Sequence, residues 1–320
     1  MNNLQIIDLH CDTMMGCYFK KTPLKDFDGH INIGKLQQGG CMAQALALFI
    51  ATDGHTARDG VTMPWDLYKK MLACWNENVD ANADVMRRAC SVEDIQKNAD
   101  EGFLSALLTV EDGIGVDGRM ERIDEMYADG VRMLTLTWNF ENCFGYPNSP
   151  DPALHQKGLK PFGLDAVARM NELGMIVDVS HLSEGGFWDV VKNSRKPFVA
   201  SHSCARALRD HQRNLTDEQL KALADRGGCV GINFCSDFLS EDRRNTYARD
   251  IVKHMVHFRD VAGIDVLAWG SDFDGIESVL DFKDYTGMPH LLDLLSAEFT
   301  DDEIDKINHG NFLRVFADNQ

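Results

Sequence analysis

Six side chains scattered through this sequence have the types that hydrolysis at a divalent metal requires: His10, Asp12, Glu111, His181, His202 and Asp272. Imidazole nitrogens and carboxylate oxygens are the ligands of zinc-type ions, and a catalytic ion keeps one position open for water. Six such groups exceed what one tetrahedral catalytic ion takes from protein. Two ions about 3.5–4 Å apart, bridged by a carboxylate and a water, would use them all. The expectation is a two-metal hydrolase. A lone His-x-Asp pair would carry no such meaning, because surface pairs and hydrogen-bonded core histidines are common. What decides is whether the fold delivers all six to one place.

Short β-branched or apolar runs at 4–10, 42–50, 103–110, 131–138, 175–180, 197–201, 228–234 and 265–270 read as eight strands. Between most of them lie amphipathic stretches with helix signals, at 118–129, 163–173, 183–193, 216–226 and 241–262, and Ser91-Val-Glu-Asp reads as a capping box. Alternation of this kind argues for parallel βα units. The sequence therefore predicts an α/β fold, a (β/α)8 TIM-like barrel forming a single domain over 1–320. A helical insertion at about 62–100 follows the second strand, and a helix at 301–316 closes the chain. A doubly wound open sheet is the competing architecture, and both set their chemistry at the carboxyl ends of strands. The first predicted strand finishes in His10-Cys11-Asp12, the third in Glu111, the fifth in His181, the sixth in His202 and the eighth in Asp272. Strict alternation along the first would put Asp8, His10 and Asp12 on one face and Ile7, Leu9 and Cys11 on the other. Acids collected inside a barrel are costly unless a cation compensates them. The other eight histidines (30, 55, 155, 211, 254, 257, 290 and 309) fall outside the strands and read as solvated or structural, and Asp274 as an acid behind the site or a helix cap.

With 320 residues, 44% apolar and 26% charged, the chain can bury a large core. Its formal net charge of −18, with no Lys/Arg-rich run, repels phosphate backbones and anionic lipid, which excludes nucleic acid and membrane surfaces as expected partners. No apolar run reaches bilayer length. The first residues meet charge before a secretory core could form, so the mature chain is expected to begin near Met1, and the polar ADNQ terminus carries no lipid-anchor signal. The nine cysteines are odd in number and contain no C-x-x-C pair, as expected of reduced thiols in a cytoplasmic protein.

The segments IDLHCDT, LLTVEDG, GVRMLTLTWN, IVDVSHLS, PFVASHS, ARALRDHQRNLTD, GGCVGINF and GSDFDGI, in that order from Ile7 to about Asp281, resemble the renal (membrane) dipeptidase family. Members are binuclear zinc dipeptidases with an amidohydrolase-like barrel. The resemblance implies two Zn2+ per chain, one held by His10, Asp12 and a bridging Glu111, the other by Glu111, His181 and His202. It implies that Asp272 shuttles the proton for attack by a hydroxide shared between the ions, and that Arg213 grips the substrate carboxylate. Small dipeptides follow as substrates, including those with a D-residue at the C-terminal position, and a homodimer is a further expectation. Arginine suits the assigned role, since its planar fork binds carboxylates in a bidentate manner.

This sequence departs from vertebrate-like members at Trp138, where they carry a histidine after the Thr-Leu-Thr run. Indole donates one hydrogen bond and does not titrate near neutrality. Either Trp138, Asn139 or a neighbouring group replaces the lost donor, with Trp138 and Asn139 lining the substrate site, or the preferred substrate differs. Among rival readings, Gly113-Ile-Gly115-Val-Asp-Gly118 matches the dinucleotide pattern G-x-G-x-x-G of an oxidoreductase, but Glu111 and Asp112 would sit beside the bound pyrophosphate. A zinc-dependent scaffold would not need Asp272. Another amidohydrolase, acting on a lactone, ester or amide, would often bridge its metals with a carbamylated lysine, whereas a glutamate holds that position here.

Overall fold

The computed structural model describes residues 4–50, 63–242 and 244–320; His55 lies outside them. Nine parallel strands run through the described residues: β1 (Ile6–Cys11), β2 (Cys41–Phe49), β3 (Met86–Arg88), β4 (Leu104–Glu111), β5 (Met133–Thr135), β6 (Ile176–Asp178), β7 (Val199–Ser203), β8 (Cys229–Ile232) and β9 (Leu267–Trp269). Pairing of β1 with β9 and of β2 with β4 closes eight of them into a barrel. The β2–β4 seam runs from Ala43↔Ser105 to Phe49↔Glu111. These eight are the eight runs predicted from sequence, and helices occupy the connections. Barrel strands covered on both faces need apolar side chains in both directions, which is why β2 reads as CMAQALALF and is buried throughout.

Two layers of core follow. Ile7, Ala43, Leu107, Ile176, Val199 and Ala268 pack together with Phe312 and Phe316 of the C-terminal helix Asn311–Asn319. A larger cluster joins the opposite strand faces to the surrounding helices, with Leu46, Leu108, Val177 and Ile232 among its members. Burying a side chain of this size contributes about 1.5–3 kcal/mol, so the many strand residues at or near zero exposure dominate the stabilisation of the barrel.

Four local expectations need correction. The stretch 62–100 is not purely helical: helices Pro64–Ala81 and Val92–Asp100 flank β3, which pairs with the first residues of β4. Its three residues are too few for a periodicity to stand out. Ser91 caps its helix by accepting from the Asp94 amide, but the Asp94 carboxylate returns to the Cys90 amide, so the reciprocal half of the box falls one residue early. The helix expected from residue 241 begins at Ala248, where Tyr247 and Asp250 form its cap. Finally, alternation on β1 breaks. Cys11 packs in the outer cluster while Ile7 and Leu9 pack in the inner one, and the pairing with β2 shifts register between Asp8 and Cys11. A bulge of this type re-aims the residues beside it. Consequently Asp8 does not join His10 and Asp12 but accepts hydrogen bonds from Ser271.

Candidate metal centre

At the carboxyl rim of the barrel, β1 carries His10 with Asp12 just past its end, β4 ends in Glu111, and β7 carries His202. His181 and Asp272 lie just past β6 and β9, each with a left-handed backbone, at φ 65° and 60°. Non-glycine residues adopt this conformation at a cost, and such strain clusters where side chains must be aimed. All six side chains predicted from sequence come together. His10 Nε2 lies 3.6 Å from Asp12 Oδ2, 3.5 Å from Glu111 Oε2 and 3.9 Å from Asp272 Oδ1. The other oxygen of Glu111, Oε1, lies 3.1 Å from His181 Nε2 and 3.6 Å from His202 Nε2. Glu111 thus turns one oxygen to each half of the cluster.

The outer nitrogens of the two late histidines are both engaged. His181 Nδ1 lies 3.1 Å from the Asn139 side-chain oxygen, an acceptor, so this nitrogen donates. His202 Nδ1 lies 2.7 Å from Ser201 Oγ, whose own proton goes to Asp178 Oδ2 at 2.6 Å. Ser201 must then accept from His202. With each proton on Nδ1, the two Nε2 atoms are bare lone pairs facing each other across 3.0 Å, with Glu111 Oε1 beside them. Three such lone pairs repel unless a proton or a metal cation lies among them. On the other side His10 Nε2 and Asp12 Oδ1 are buried without a hydrogen-bond partner. His10, Glu111 and His202, and likewise His10, Asp12 and Asp272, are close enough to share an ion. The donor set fits divalent metal ions.

Electrostatics of the ion-free protein agree. Burial, reinforced by Asp12, pushes the Glu111 carboxyl up to about 8, against the opposing pull of His10. Burial likewise raises Asp272 to about 7, with His10 pulling the other way. Burial alone would lower His10, but the Glu111 and Asp12 carboxylates override it and hold the imidazole well above its usual range. For His181, burial and then the Arg213 charge keep the ring neutral; for His202, burial, His10 and Arg213 do so. Neutral imidazole is the form that ligates.

Arg213 is buried at the edge of the cluster. Its Nη2 donates to the His202 carbonyl at 3.1 Å, its guanidinium lies 5.3 Å from the centre of the Phe238 ring, and its Nε has no partner. Trp138 is half-buried, its ring centre 4.8 Å from Phe49, 5.8 Å from Phe140 and 6.3 Å from His181. Asn139, expected among the substrate contacts, accepts from His181 Nδ1 and so holds that ring from outside. Asp274 ties loops together: it accepts from the Thr13 hydroxyl at 2.5 Å and from the His30 amide at 2.5 Å. The glycine run 113–118 forms no phosphate cradle. A Cβ at Gly113 would strike the Phe144 ring and the Leu136 carbonyl, and the Asp112 carboxylate already accepts the Ile114 amide.

Three residues outside the predicted set shape the site. Asn233 donates to Asp272 Oδ2 at 2.8 Å, and Asp178 and Ser201 stand behind His202. Each is a polar residue inside an apolar strand run or just beyond it, and that was the available signal.

A closed parallel barrel carrying such a cluster on its carboxyl rim defines a metal-dependent hydrolase. The chain matches the family described as membrane dipeptidase (peptidase family M19) over residues 1–320, and it belongs to that family. A protein encoded in the pqqA 5′ region of Klebsiella pneumoniae is 37% identical over 262 residues, which cover 79% of this chain and 96% of that protein. A dipeptidase of Schizosaccharomyces pombe, itself uncharacterized, is 29% identical over 321 residues, 92% of this chain and 75% of its own. Among solved structures, a metallo peptidase from Rhodobacter sphaeroides, liganded with a phosphinate mimic of the dipeptide L-Ala-D-Ala, matches with a TM-score of 0.91 and 25% identity over 100% of both chains. No helix among the described residues is long and apolar enough to cross a membrane.

Proposed function

We propose that this metallopeptidase is a binuclear zinc dipeptidase that cleaves the single peptide bond of small dipeptides, including those with a D-residue at the C-terminal position. The observation that carries the proposal is the split of Glu111, one oxygen toward His10 and the other toward the facing Nε2 atoms of His181 and His202. In this reading His10, Asp12 and Glu111 hold one ion, and Glu111, His181 and His202 the other. When bound, the ions supply Lewis acidity at the scissile carbonyl and make the attacking water more acidic.

The protein's own groups do the rest. Asn233 occupies Oδ2 of Asp272, which leaves Oδ1, the oxygen on the His10 side, to take the proton of the water and return it to the leaving amine. Arg213, with Nε unpartnered, pairs with the substrate's terminal carboxylate and so demands a free C-terminus. Trp138, backed by Phe49 and Phe140, forms an apolar wall beside His181. The peptidase from Rhodobacter sphaeroides was liganded with a mimic of L-Ala-D-Ala, which supports the stereochemical part. Nine unpaired cysteines support a reducing, cytoplasmic setting, and a homodimer completes the proposal.

The test is a panel of L,L- and L,D-dipeptides, with lactone and ester controls, on metal-analysed protein before and after chelation. About two zinc equivalents per chain, activity lost with chelator and regained with zinc, and turnover of L,D-dipeptides are expected. Turnover of a lactone in preference to every dipeptide, or full activity in Glu111→Gln, would overturn the proposal.

A further inference from the structure

We infer that Asp178, acting through Ser201, dictates which nitrogen of His202 carries the proton and thereby keeps Nε2 available to a metal ion. The inference rests on the proposed role of His202 as a ligand, and it adds a positioning residue that touches neither ion nor substrate.

Asp178 ends β6 and is fully buried. Its Oδ1 accepts the amides of Ser180 at 2.9 Å and Ser201 at 2.8 Å, and its Oδ2 accepts the hydroxyls of Thr135 at 2.5 Å and Ser201 at 2.6 Å. Two amides and two hydroxyls thus donate to one carboxylate, a group that only accepts. Ser201 has one proton and spends it on Asp178. Toward His202 Nδ1, 2.7 Å away, it can only accept. The Ser180 hydroxyl, 3.3 Å from Ser201 Oγ, itself accepts the His202 amide at 3.1 Å and leaves this polarity unchanged. The order of donation is therefore forced along the whole path from Asp178 to His202.

The barrel holds a second clamp of the same design. Asp8 accepts the Ser271 amide at 2.9 Å, the Ser271 hydroxyl at 2.6 Å and the amide of His10, two residues along its own strand, at 3.3 Å. Asp178 treats Ser201 and Ser180 in the same way. Each serine directly precedes a site residue, Ser201 before His202 and Ser271 before Asp272. Clamping of strand ends is thus common to both units, whereas handing polarity on to an imidazole belongs to the Asp178 unit.

Asp178→Asn tests this directly. The new amide keeps the two backbone bonds through its oxygen but presents N–H toward Ser201. The hydroxyl then turns to His202 Nδ1, and the imidazole proton moves to Nε2, where it blocks a ligand. In zinc-free, 15N-histidine-labelled protein, NMR should find His202 protonated on Nδ1 in the wild type and on Nε2 in Asp178→Asn. Chelator competition should show zinc bound about 10- to 100-fold more weakly in the variant. Thr135→Val removes a donor to the same oxygen without touching the relay and should keep the Nδ1–H form. Asp178→Asn combined with Ser201→Ala should regain zinc affinity, because no hydroxyl remains to impose the wrong form; a merely structural role for Asp178 would not give this rescue. Nε2–H already present in the wild type overturns the inference and needs no variant to fold. An unchanged tautomer in Asp178→Asn overturns it as well. A flipped tautomer with unchanged zinc affinity overturns its metal half, and with it the role of His202 as a ligand.

Discussion

Gly275 packs against Asp12 so closely that a Cβ on it would overlap the Asp12 carboxylate and press on Asp272 Oδ1. The turn that brings it there is closed by the Gly275 amide donating to the Asp272 carbonyl at 3.1 Å. Asp12 has only a short side chain with which to retreat, so Gly275→Ala should displace it by something near 1 Å. Shifts of that size cost catalysis about 100-fold. The expected result is loss of bound metal and a drop of that order in kcat/KM, while the far-ultraviolet circular dichroism spectrum stays that of the wild type. An alanine variant with normal metal content and turnover would show that the carboxylate is not confined.

Asn233 fixes Asp272 through a single hydrogen bond and is itself held where the Cys235 amide donates to its side-chain oxygen at 2.6 Å. Asn233→Ala should free the carboxyl to rotate and lower kcat by about 10- to 100-fold, part of the roughly 100- to 10,000-fold that a positioned proton-transfer group contributes. KM should change little, since Asn233 faces the shuttle and not the substrate ends. Steady-state kinetics on one dipeptide separates the two, and a rise in KM with unaltered kcat would count against the shuttle.

Arg213 should matter most to substrates with a terminal carboxylate. A charged hydrogen-bonded pair contributes about 1.5–3 kcal/mol, so Arg213→Met, which preserves bulk, should cut kcat/KM for free dipeptides by roughly 10- to 100-fold. The same dipeptides bearing a C-terminal amide should lose far less. Parallel loss on the two substrate sets would remove the proposed contact.

His254 makes stability depend on pH. It is buried, its Nδ1 accepts the Ala205 amide at 3.0 Å, its Nε2 faces the Leu239 carbonyl at 3.0 Å, and burial lowers it to about 4. The unfolded chain takes up this proton near pH 6.5, well before the folded one. The contribution is therefore complete above about pH 6.5 and shrinks as the pH falls toward 4. From pH 7.5 to pH 5 the loss comes to about 2 kcal/mol. Urea unfolding of wild type and His254→Leu at both values should show the gap between them narrowing by that amount. A constant gap would mean that His254 does not titrate differently in the two states.

The strands were legible because their runs of β-branched and aliphatic residues, buried on both faces, leave a signal that needs no partner to be seen. β3 was not: three residues, of which only Met86 is buried, carry no periodicity. The six candidate site residues stood out because charged or imidazole groups at the ends of apolar strands have no structural reason to be there. Asp8 looked like one of them, and only the register shift after it separates it from His10.

Residue types and order along the chain determined the barrel, the rim on which its chemistry lies and the candidate ligands. Tertiary structure alone decided how Glu111 divides its oxygens, that Asn139 faces the back of His181, and that Asp178 speaks to His202 through Ser201. The reason is physical. Alternation and burial are local properties of a strand, whereas hydrogen-bond polarity is set between strands, by which donor the closed barrel places opposite which acceptor.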